Sequence, residues 1–332
     1  MMRAVDIRNG TGPVDALYIT EIPKPKITGS EALVKIKVFG LNRMDLIQRE
    51  GHYPVPPQAP STLGVEFSGT VAELASDGSD FKVGDEVFGL AYGGAYAEYV
   101  AVSTRMLIHK PKHISWEVAA SIPETWMTSL QAMYLVGEYS KGKTILWHAG
   151  ASSVSSAGIQ LSRVDPAKAI YVTVGSQEKI DFCVKELGAT AGFNYHTQDW
   201  AKEIIAVTDG KGVDVIIDFI GPGYFKGNID AAARDGRIVS LGWLGDAKID
   251  PNVDIRQMTV KRLRYEGSTL RSRDLDYQQK LRDLLVEKVL PGFQDGTFKV
   301  VVERVFPWED IIEAQKLMES NTSKGKIVCI VS

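Results

Sequence analysis

The stretch ILWHAGASSVSSAGIQLS, residues 145–162, contains side chains that can bind a phosphate group. It reads as a buried strand, a turn of small residues and an amphipathic helix, which is how a dinucleotide-binding unit begins. Gly150 supplies the tight bend, and Ser152 and Ser155 stand where two further glycines are expected. A serine hydroxyl can donate to a phosphate oxygen. Taken alone, the turn fits a nucleotide site and an ordinary structural crossover equally well.

The end of the next predicted strand, AIYVTV, bears on the choice of dinucleotide. An NAD site presents Asp or Glu to the ribose hydroxyls about twenty residues after the turn. This strand ends instead in Gly175 and Ser176, with Lys179 close behind. A carboxylate would repel a 2′-phosphate, whereas these residues would attract it, so the pattern favours NADPH. The alternative is that Lys179 is a solvated helix charge, partly offset by Glu178.

Cysteine and histidine are too few and too scattered to suggest a metal site. The two cysteines, Cys183 and Cys329, lie in apolar stretches, which indicates reduced core thiols and excludes a cysteine-based zinc site. The histidines lack partners at ligand spacing, so we predict no metal and no histidine base; they are His52, His109, His113, His148 and His196. We expect His148, in the strand–turn segment, to be a polar core residue whose hydrogen bonds are satisfied.

The composition is that of an ordinary globular chain. It has 332 residues, 44% of them hydrophobic and 24% charged, so two domains are the default expectation. A net charge of −3 offers no basic footprint for nucleic acid or a membrane surface. The first residues lack the apolar core of a signal peptide, and no apolar run is long enough to cross a membrane. We therefore expect a cytoplasmic protein whose partner is a small molecule.

Two kinds of segment must position these side chains. To about Glu124 the sequence is rich in strand and turn signals, and the proline-laden YPVPPQAPST predicts a surface loop bordering a cleft. From about Thr125, apolar runs such as AIYVTV and VDVIIDFI alternate with helical segments, which predicts a parallel sheet buried on both faces. Two helices and a strand follow, in YQQKLRDLLVEKVL, EDIIEAQKLMES and KIVCIVS. This architecture alone assigns no function.

A series of motifs runs in order along nearly the whole chain: GVEFSG, KVGDEVFGL, GGAYAEYV, SIPETWMTSLQAM, ILWHAGAS, VTVGSQEK, GATAGFNY, DFIG, SLGW, TLRSRD and GKIV. Their order resembles the zinc-free quinone oxidoreductase (zeta-crystallin-like) branch of the medium-chain dehydrogenase/reductase superfamily. The resemblance implies an α/β fold with two domains. Residues 1–125 and 268–332 would form a GroES-like β-rich substrate domain, and residues 126–267 a Rossmann NADPH-binding domain with a doubly wound parallel sheet.

The chain departs from the zinc-dependent relatives of this branch where they bind metal. Those relatives place a catalytic cysteine near position 42 and a histidine at 65, where this chain has Asn42 and Val65. They also carry a four-cysteine lobe that this sequence lacks. Zinc-bound alcohol oxidation would therefore have no thiolate ligands. The zinc-free branch commonly has glycine at 153 and 155, where this chain has Ser153 and Ser155.

Reduction without a metal needs a donor near the oxygen on which negative charge develops. Tyr53, a phenol in the proline-rich loop, is the best candidate, and the resemblance implies that Asn42 and Tyr53 face the substrate and the nicotinamide. It also implies that Ser152 lies by the pyrophosphate and the active site. The predicted catalytic residues are thus Tyr53, Asn42 and Ser152. The alternatives are a turn-forming asparagine and an exposed loop tyrosine.

The other predicted site residues bind the cofactor. Glycines such as Gly221 and Gly242 at strand ends allow close approach of a ligand. By resemblance, Thr128 opens a helix and touches the nicotinamide amide, and Tyr195 reaches the 2′-phosphate; the alternatives are a cap or core hydroxyl and a tyrosine that covers the sheet. The full set is Thr128, Gly150, Ser152, Ser153, Val154, Gly175, Ser176, Lys179, Tyr195, Ile220, Gly221, Gly242, Trp243, Leu244, Thr269, Leu270, Arg271 and Asn321. Arg271 has a further alternative, a surface ion-pair cluster in RSRD.

We therefore predict that the chain is an NADPH-dependent, zinc-free reductase that transfers hydride to a quinone or enone, in one-electron or two-electron reduction. The alternatives are a 2-enoyl-thioester or enone reductase and a crystallin-like NADPH-binding protein with little turnover. The resemblance also implies a homodimer joined edge to edge through the Rossmann sheets, with which the β-prone RLRYEGSTL is compatible.

Overall fold

The computed structural model describes residues 1–76, 79–244 and 248–332. The strands are β1 (Met2–Ile7), β2 (Leu17–Ile22), β3 (Glu31–Gly40), β4 (Glu66–Leu74), β5 (Glu86–Leu90), β6 (Tyr99–Ser103), β7 (Leu107–His109), β8 (Thr144–Trp147), β9 (Ala169–Val174), β10 (Ala191–Asn194), β11 (Val213–Asp218), β12 (Ala232–Ser240), β13 (Arg264–Gly267), β14 (Val302–Pro307) and β15 (Lys326–Ile330).

The helices are α1 (Arg43–Arg49), α2 (Trp116–Ala119), α3 (Pro123–Leu130), α4 (Ser153–Leu161), α5 (Gln177–Asp181), α6 (Trp200–Val207), α7 (Phe225–Ala231), α8 (Arg256–Lys261), α9 (Leu275–Lys288), α10 (Leu290–Gln294) and α11 (Ile311–Glu319). Two π-helical segments, Gln131–Val136 and Phe182–Glu186, continue α3 and α5. Within the described ranges, no helix has the length and apolarity needed to span a membrane.

The chain divides into two compact units. Unit 1 comprises Met1–Met127 and Arg271–Ser332, and unit 2 comprises Thr128–Leu270. These limits fall a few residues beyond the domain limits expected from the sequence.

Unit 1 is built on a seven-stranded sheet in the order β14-β15-β3-β4-β5-β7, with β6 also paired to β3. The pairs are antiparallel except for β14 with β15. In β3, Lys35 and Lys37 are exposed while the residues between and beside them are buried, because successive side chains point to opposite faces. The proline-rich segment 53–62 contains no strand, as predicted. This is the β-rich GroES-like domain that the resemblance implies.

Unit 2 is built on a six-stranded sheet in the order β10-β9-β8-β11-β12-β13, and all its strand pairs are parallel. Every residue of β8 and β9 is buried, which explains their continuous apolar sequence. The strand order is that of a doubly wound Rossmann sheet, with its switch point between β8 and β11. The predicted fold class is therefore confirmed. The exposed β13 forms one edge, and association of two chains there stays a prediction.

Several local expectations were wrong. Thr128 does not open a helix, because α3 begins five residues earlier, at Pro123, a residue favoured in the first helical turn. The strand β11 ends at Asp218 and β12 at Ser240, so Gly221 and Gly242 lie in the loops that follow rather than at the strand ends.

Candidate functional site

The carboxyl ends of the parallel strands in unit 2 lie along one edge of the sheet, where open α/β sheets bind their ligands. The loops at this edge hold most of the predicted cofactor residues, from Gly150 after β8 to Leu244 after β12.

The turn after β8 is fixed by close packing against β9. Ala149 has a φ of 48°, in the left-handed region, and Gly150 follows it. A Cβ on Gly150 would lie 2.7 Å from Cβ of Val172 and 3.2 Å from Sγ of Cys183. Only glycine fits here, because any side chain would have to displace a fully buried strand residue.

The two serines that replace glycines in this turn have different roles. Ser152 is the N-cap of α4, and its Oγ accepts a hydrogen bond of 3.2 Å from the backbone N–H of Ser155. Accepting this bond leaves the Ser152 hydroxyl proton able to donate to a ligand. Ser155 is fully buried and its hydroxyl donates to the carbonyl of His148 at 2.7 Å. Ser155 therefore stabilises the turn, while Ser152, beside Ser153 and Val154 in the first turn of α4, can contact a phosphate.

The end of β9 brings together several predicted residues. A Cβ on Gly175 would lie 2.7 Å from the Tyr195 hydroxyl, so these two residues are in contact. Ser176 caps α5, where its Oγ accepts from the backbone N–H of Lys179 at 3.2 Å. Burial raises the pKa of the Cys183 thiol, which packs on the β8 turn, to about 12, and the Lys179 charge opposes that rise.

A buried carboxylate shapes the loop after β11. Oδ1 of Asp218 accepts from the backbone N–H groups of Ile220 at 2.7 Å and Gly221 at 3.2 Å, and Oδ2 accepts from the Asn228 amide at 2.9 Å. Gly221 has a φ of 84°, which favours glycine. Asp218 thus holds the backbone of two predicted cofactor residues in place.

His148 extends this network towards β9. Its Nε2 lies 2.7 Å from Oδ1 of Asn228 and its Nδ1 lies 2.8 Å from Oγ1 of Thr173. Burial lowers the pKa of His148, so the imidazole stays neutral and serves one partner as donor and the other as acceptor. The prediction that His148 is a satisfied polar core residue is confirmed.

The loop after β12 is open. A Cβ on Gly242 would meet no atom of the described residues within 4 Å, and Trp243 and Leu244 are 53% and 50% exposed. The backbone at Gly242 is therefore accessible to a ligand at this point of the sheet edge.

Of the predicted residues at the two ends of unit 2, Thr128 and Leu270 are buried and Thr269 is exposed. Thr128 lies inside α3 and is buried. Gln131 donates through Nε2 to Oγ of Ser268 at 2.9 Å and to the carbonyl of Thr269 at 3.0 Å, and Leu270 is buried. The glutamine thus fixes the segment that precedes Leu270.

In unit 1, Asn42 belongs to a buried ion-pair cluster. Lys326 forms an ion pair with Glu66, and both side chains are buried, at 2% and 0% exposure. The ammonium also donates to the carbonyl of Leu41 at 2.7 Å and to Oδ1 of Asn42 at 3.0 Å, which uses all three of its protons. Nδ2 of Asn42 donates to Glu66 at 2.9 Å, and the backbone N–H of Glu124 donates to the other Glu66 oxygen at 2.9 Å.

Arg271 is buried within unit 1, so it is not part of a surface ion-pair cluster. Its Nη1 donates to Oε1 of Gln48 at 2.6 Å and its Nε to the carbonyl of Tyr92 at 2.5 Å. The guanidinium carbon lies 5.4 Å from the centre of the Tyr53 ring, within cation–π range. Arg271 thereby positions Tyr53.

Tyr53 carries its hydroxyl in a half-buried loop position. Burial, followed by the charge of Glu124, raises the pKa of Tyr53 to about 12, so the phenol keeps its proton at neutral pH. A protonated phenol beside a guanidinium can donate a hydrogen bond to an oxygen that gains negative charge.

Two further carboxyl groups of unit 1 have raised pKa values. Burial raises the pKa of Asp45 to about 6, opposed by the backbone N–H of Asn42 and the hydroxyl of Tyr96, which donates to Asp45 at 3.0 Å. Burial, and then the charge of Glu66, raises the pKa of Glu124 to about 7. The remaining predicted residue of this unit, Asn321, is exposed, with a φ of 56°, and accepts from Nη2 of Arg43 at 2.6 Å.

Comparisons with known proteins agree with this two-unit architecture. Residues 28–112 match the alcohol dehydrogenase GroES-like domain and residues 153–287 match the zinc-binding dehydrogenase family. A crystal structure of an NAD-dependent alcohol dehydrogenase is 30% identical, with a TM-score of 0.86 and full coverage of both chains. The chain belongs to the medium-chain dehydrogenase/reductase superfamily.

Two other relatives of this reductase superfamily extend the comparison. The quinone oxidoreductase from Coxiella burnetii is 29% identical, with a TM-score of 0.79 and coverage of 100% of this chain and 99% of that one. Highly-reducing polyketide synthase 1 of Aureobasidium melanogenum is 28% identical over 96% of this chain. The chain spans only 14% of the length of that synthase. Proteins of this superfamily bind a nicotinamide cofactor.

The residues of this chain do not fit the zinc that the matched family name implies. Asn42 and Val65 stand where the resemblance places the cysteine and histidine ligands of the zinc-dependent relatives, and the Lys326 ammonium lies 3.0 Å from Oδ1 of Asn42. A fixed positive charge at that distance repels a metal cation. Within the described part of the chain, no three His, Cys, Asp or Glu side chains are arranged to hold a metal.

The residues at the sheet edge of unit 2 do fit a dinucleotide. A Cβ on the half-buried Gly242 would meet no atom of the described residues within 4 Å, and Ser152 retains a hydroxyl proton at the start of α4. Sequence reasoning missed Asp218, Asn228 and Lys326. Asp218 and Lys326 had a weak signal, because each is a charged residue within or beside an otherwise apolar strand. The position of Asn228 gave none.

Proposed function

We propose that this chain is an NADPH-dependent, zinc-free quinone reductase of the zeta-crystallin-like branch. The observation that carries the proposal is the end of β9, where the Tyr195 hydroxyl contacts Gly175 and Ser176 caps the helix α5 that carries Lys179, without a carboxylate at the strand end. Hydroxyl and ammonium donors suit a 2′-phosphate, whereas a site for NAD presents an acid to the ribose. The likeness to quinone oxidoreductases, including one from Pseudomonas syringae at 26% identity, supports the choice of acceptor.

In this proposal the unit 2 residues hold the cofactor. Ser152 and the first turn of α4 bind the pyrophosphate, the residues around Gly175 bind the 2′-phosphate, and the open backbone at Gly242 admits the nicotinamide half. When bound, NADPH supplies the hydride. Asp218 orients the Ile220–Gly221 backbone and does not take part in the chemistry.

The proposed role of Tyr53 is to donate a hydrogen bond to the quinone oxygen on which charge develops. Two-electron reduction adds a hydride and a proton to the quinone, and the phenol is protonated at neutral pH. Asn42, which bonds to both members of the Lys326–Glu66 pair, acts through that pair and positions α1.

The proposal is tested by following NADPH and NADH oxidation by the purified chain with a simple para-quinone, a small enone and a 2-enoyl thioester. We expect quinone turnover with a preference for NADPH, and a loss of kcat of about 100-fold in Tyr53→Phe. Tyr18→Phe is the matched control, because it removes a phenol hydroxyl from β2 of unit 1 that donates to Asp6 at 3.4 Å. Preference for the thioester would support enoyl reduction, and tight NADPH binding without turnover would support a binding protein. Preference for NADH, the cofactor named for the 30%-identical alcohol dehydrogenase, would contradict the cofactor assignment.

A further inference from the structure

His196, a residue without an assigned role, lies at the end of β9 together with Tyr195. A Cβ built on Gly175 would be 2.7 Å from the Tyr195 hydroxyl oxygen and 3.2 Å from Nε2 of His196. Two polar atoms from the turn after β10 therefore meet above one glycine of the neighbouring strand. Any larger residue at position 175 would displace both of them.

The imidazole is held at this place although it is exposed to solvent. The backbone N–H of His196 donates to Oδ1 of Asn194 at 2.9 Å, which fixes the turn. Its ring lies against that of Tyr195, with centroids 4.4 Å apart. Tyr195 in turn contacts Tyr224, which packs on Trp200 at 5.0 Å. The His196 ring is thus positioned by a chain of aromatic contacts that ends in the core of unit 2.

The donors at this point suit a phosphate monoester. The end of β9 offers the Tyr195 and Ser176 hydroxyls, the helix α5 that follows carries Lys179, and the His196 imidazole adds a ring N–H. The ionisable side chains of α5 are Glu178, Lys179 and Asp181, and the phenols of Tyr195 and Tyr224 lie on the neighbouring segments. Asp199, which begins α6, is paired with Lys202 at 2.8 Å.

We propose that His196 is a ligand of the 2′-phosphate of NADPH and adds to the preference for NADPH over NADH. This inference rests on the proposed function, since it needs a 2′-phosphate at the end of β9. An imidazole ring carries an N–H donor. His196 can therefore donate to a phosphate oxygen beside the Tyr195 hydroxyl.

The test is calorimetric titration of the full chain with adenosine 2′,5′-bisphosphate and with adenosine 5′-monophosphate, which lacks the 2′-phosphate. We expect His196→Ala, which removes the ring donor, to weaken binding of the bisphosphate about fivefold and to leave binding of the monophosphate unchanged. His196→Lys replaces the ring N–H by an ammonium donor, so it should retain affinity for the bisphosphate. His113→Ala, a change at an exposed histidine in unit 1, is the control.

The outcomes separate this inference from the proposed function. If the wild-type chain prefers the bisphosphate but His196→Ala binds it equally well, the role of His196 is wrong and the NADPH assignment stands. An equal loss of both ligands in His196→Ala would show a structural effect and overturn the inference. If the wild-type chain shows no preference for the bisphosphate, the NADPH assignment itself fails.

Discussion

Replacing Lys326 by methionine should strongly destabilise unit 1. The ammonium is the counter-charge of Glu66, whose side chain is fully buried, and it satisfies the carbonyl of Leu41 and the amide of Asn42. After Lys326→Met the carboxylate would keep only the Asn42 amide and the Glu124 N–H as donors. Breaking one side of a buried ion pair costs about 3 to 5 kcal/mol, because the remaining charge stays buried without compensation.

A double-mutant cycle separates the cost of the uncompensated Glu66 charge from the cost of lost packing. Adding Glu66→Gln to Lys326→Met removes the stranded charge, so we expect the double variant to recover at least about 2 kcal/mol relative to Lys326→Met. Lys316→Met is the control, since Lys316 pairs with Glu313 on the exposed surface of α11 and should cost less than about 1 kcal/mol.

Urea unfolding followed by tryptophan fluorescence measures these free energies. Trp126 and Trp308 are buried in unit 1 and report its transition, which must be fitted separately from that of unit 2. A total stability of about 5 to 15 kcal/mol means that Lys326→Met can abolish folding, in which case the double variant supplies the comparison. A cost below about 1 kcal/mol for Lys326→Met, or purely additive effects in the cycle, would refute the buried-charge argument.

Two further predictions concern charge and space. Because the folded pKa values of Asp45 and Glu124 are raised to about 6 and about 7, their contribution to stability is complete below the unfolded carboxyl pKa and is lost as the pH rises to about 7. Urea unfolding at a series of pH values should show this decline, with a flatter profile in Glu124→Gln. Equal slopes in the two proteins would contradict the prediction. A Cβ on Gly158 would lie 2.2 Å from the Trp147 ring, so Gly158→Ala should lower the free energy of unfolding, measured by thermal unfolding, by about 1 to 3 kcal/mol. A Cβ on Gly242 would meet no atom of the described residues within 4 Å, so Gly242→Ala should leave stability unchanged and weaken NADPH binding in a titration. A reversed pattern would contradict both placements.

The sequence was most informative where a pattern is local. Continuous apolar runs predicted β8 and β9, because strands buried on both faces leave no room for alternation. The prolines of segment 53–62 likewise predicted a loop. The start of α3 has a local signal in Pro123, because proline is favoured in the first turn of a helix, and this start places Thr128 inside the helix. The motif order correctly indicated the superfamily.

The parts of the site that depend on distant residues could not be derived from local patterns. Lys326 and Glu66 are 260 positions apart, and His148 and Asn228 are 80 apart. In each case the sequence shows a single polar residue, and only the folded sheet brings its partner to it. Charge compensation is a property of the pair, so neither residue alone identifies its partner.

In the turn after β8, serines at two of the expected glycine positions still allow the turn to form. In a glycine-rich turn the third glycine lets the helix pack on the strand, and the second lets the backbone approach a phosphate. Here the hydroxyl of the buried Ser155 instead donates to the carbonyl of His148. Close packing of the helix on the strand occurs at Gly158, which lies against the Trp147 ring. Ser152, freed to donate, can then offer a hydroxyl where backbone approach would otherwise be needed. Affinity for a pyrophosphate would thus depend on one side chain, and the turn tolerates two serines because neither is left with an unsatisfied buried group.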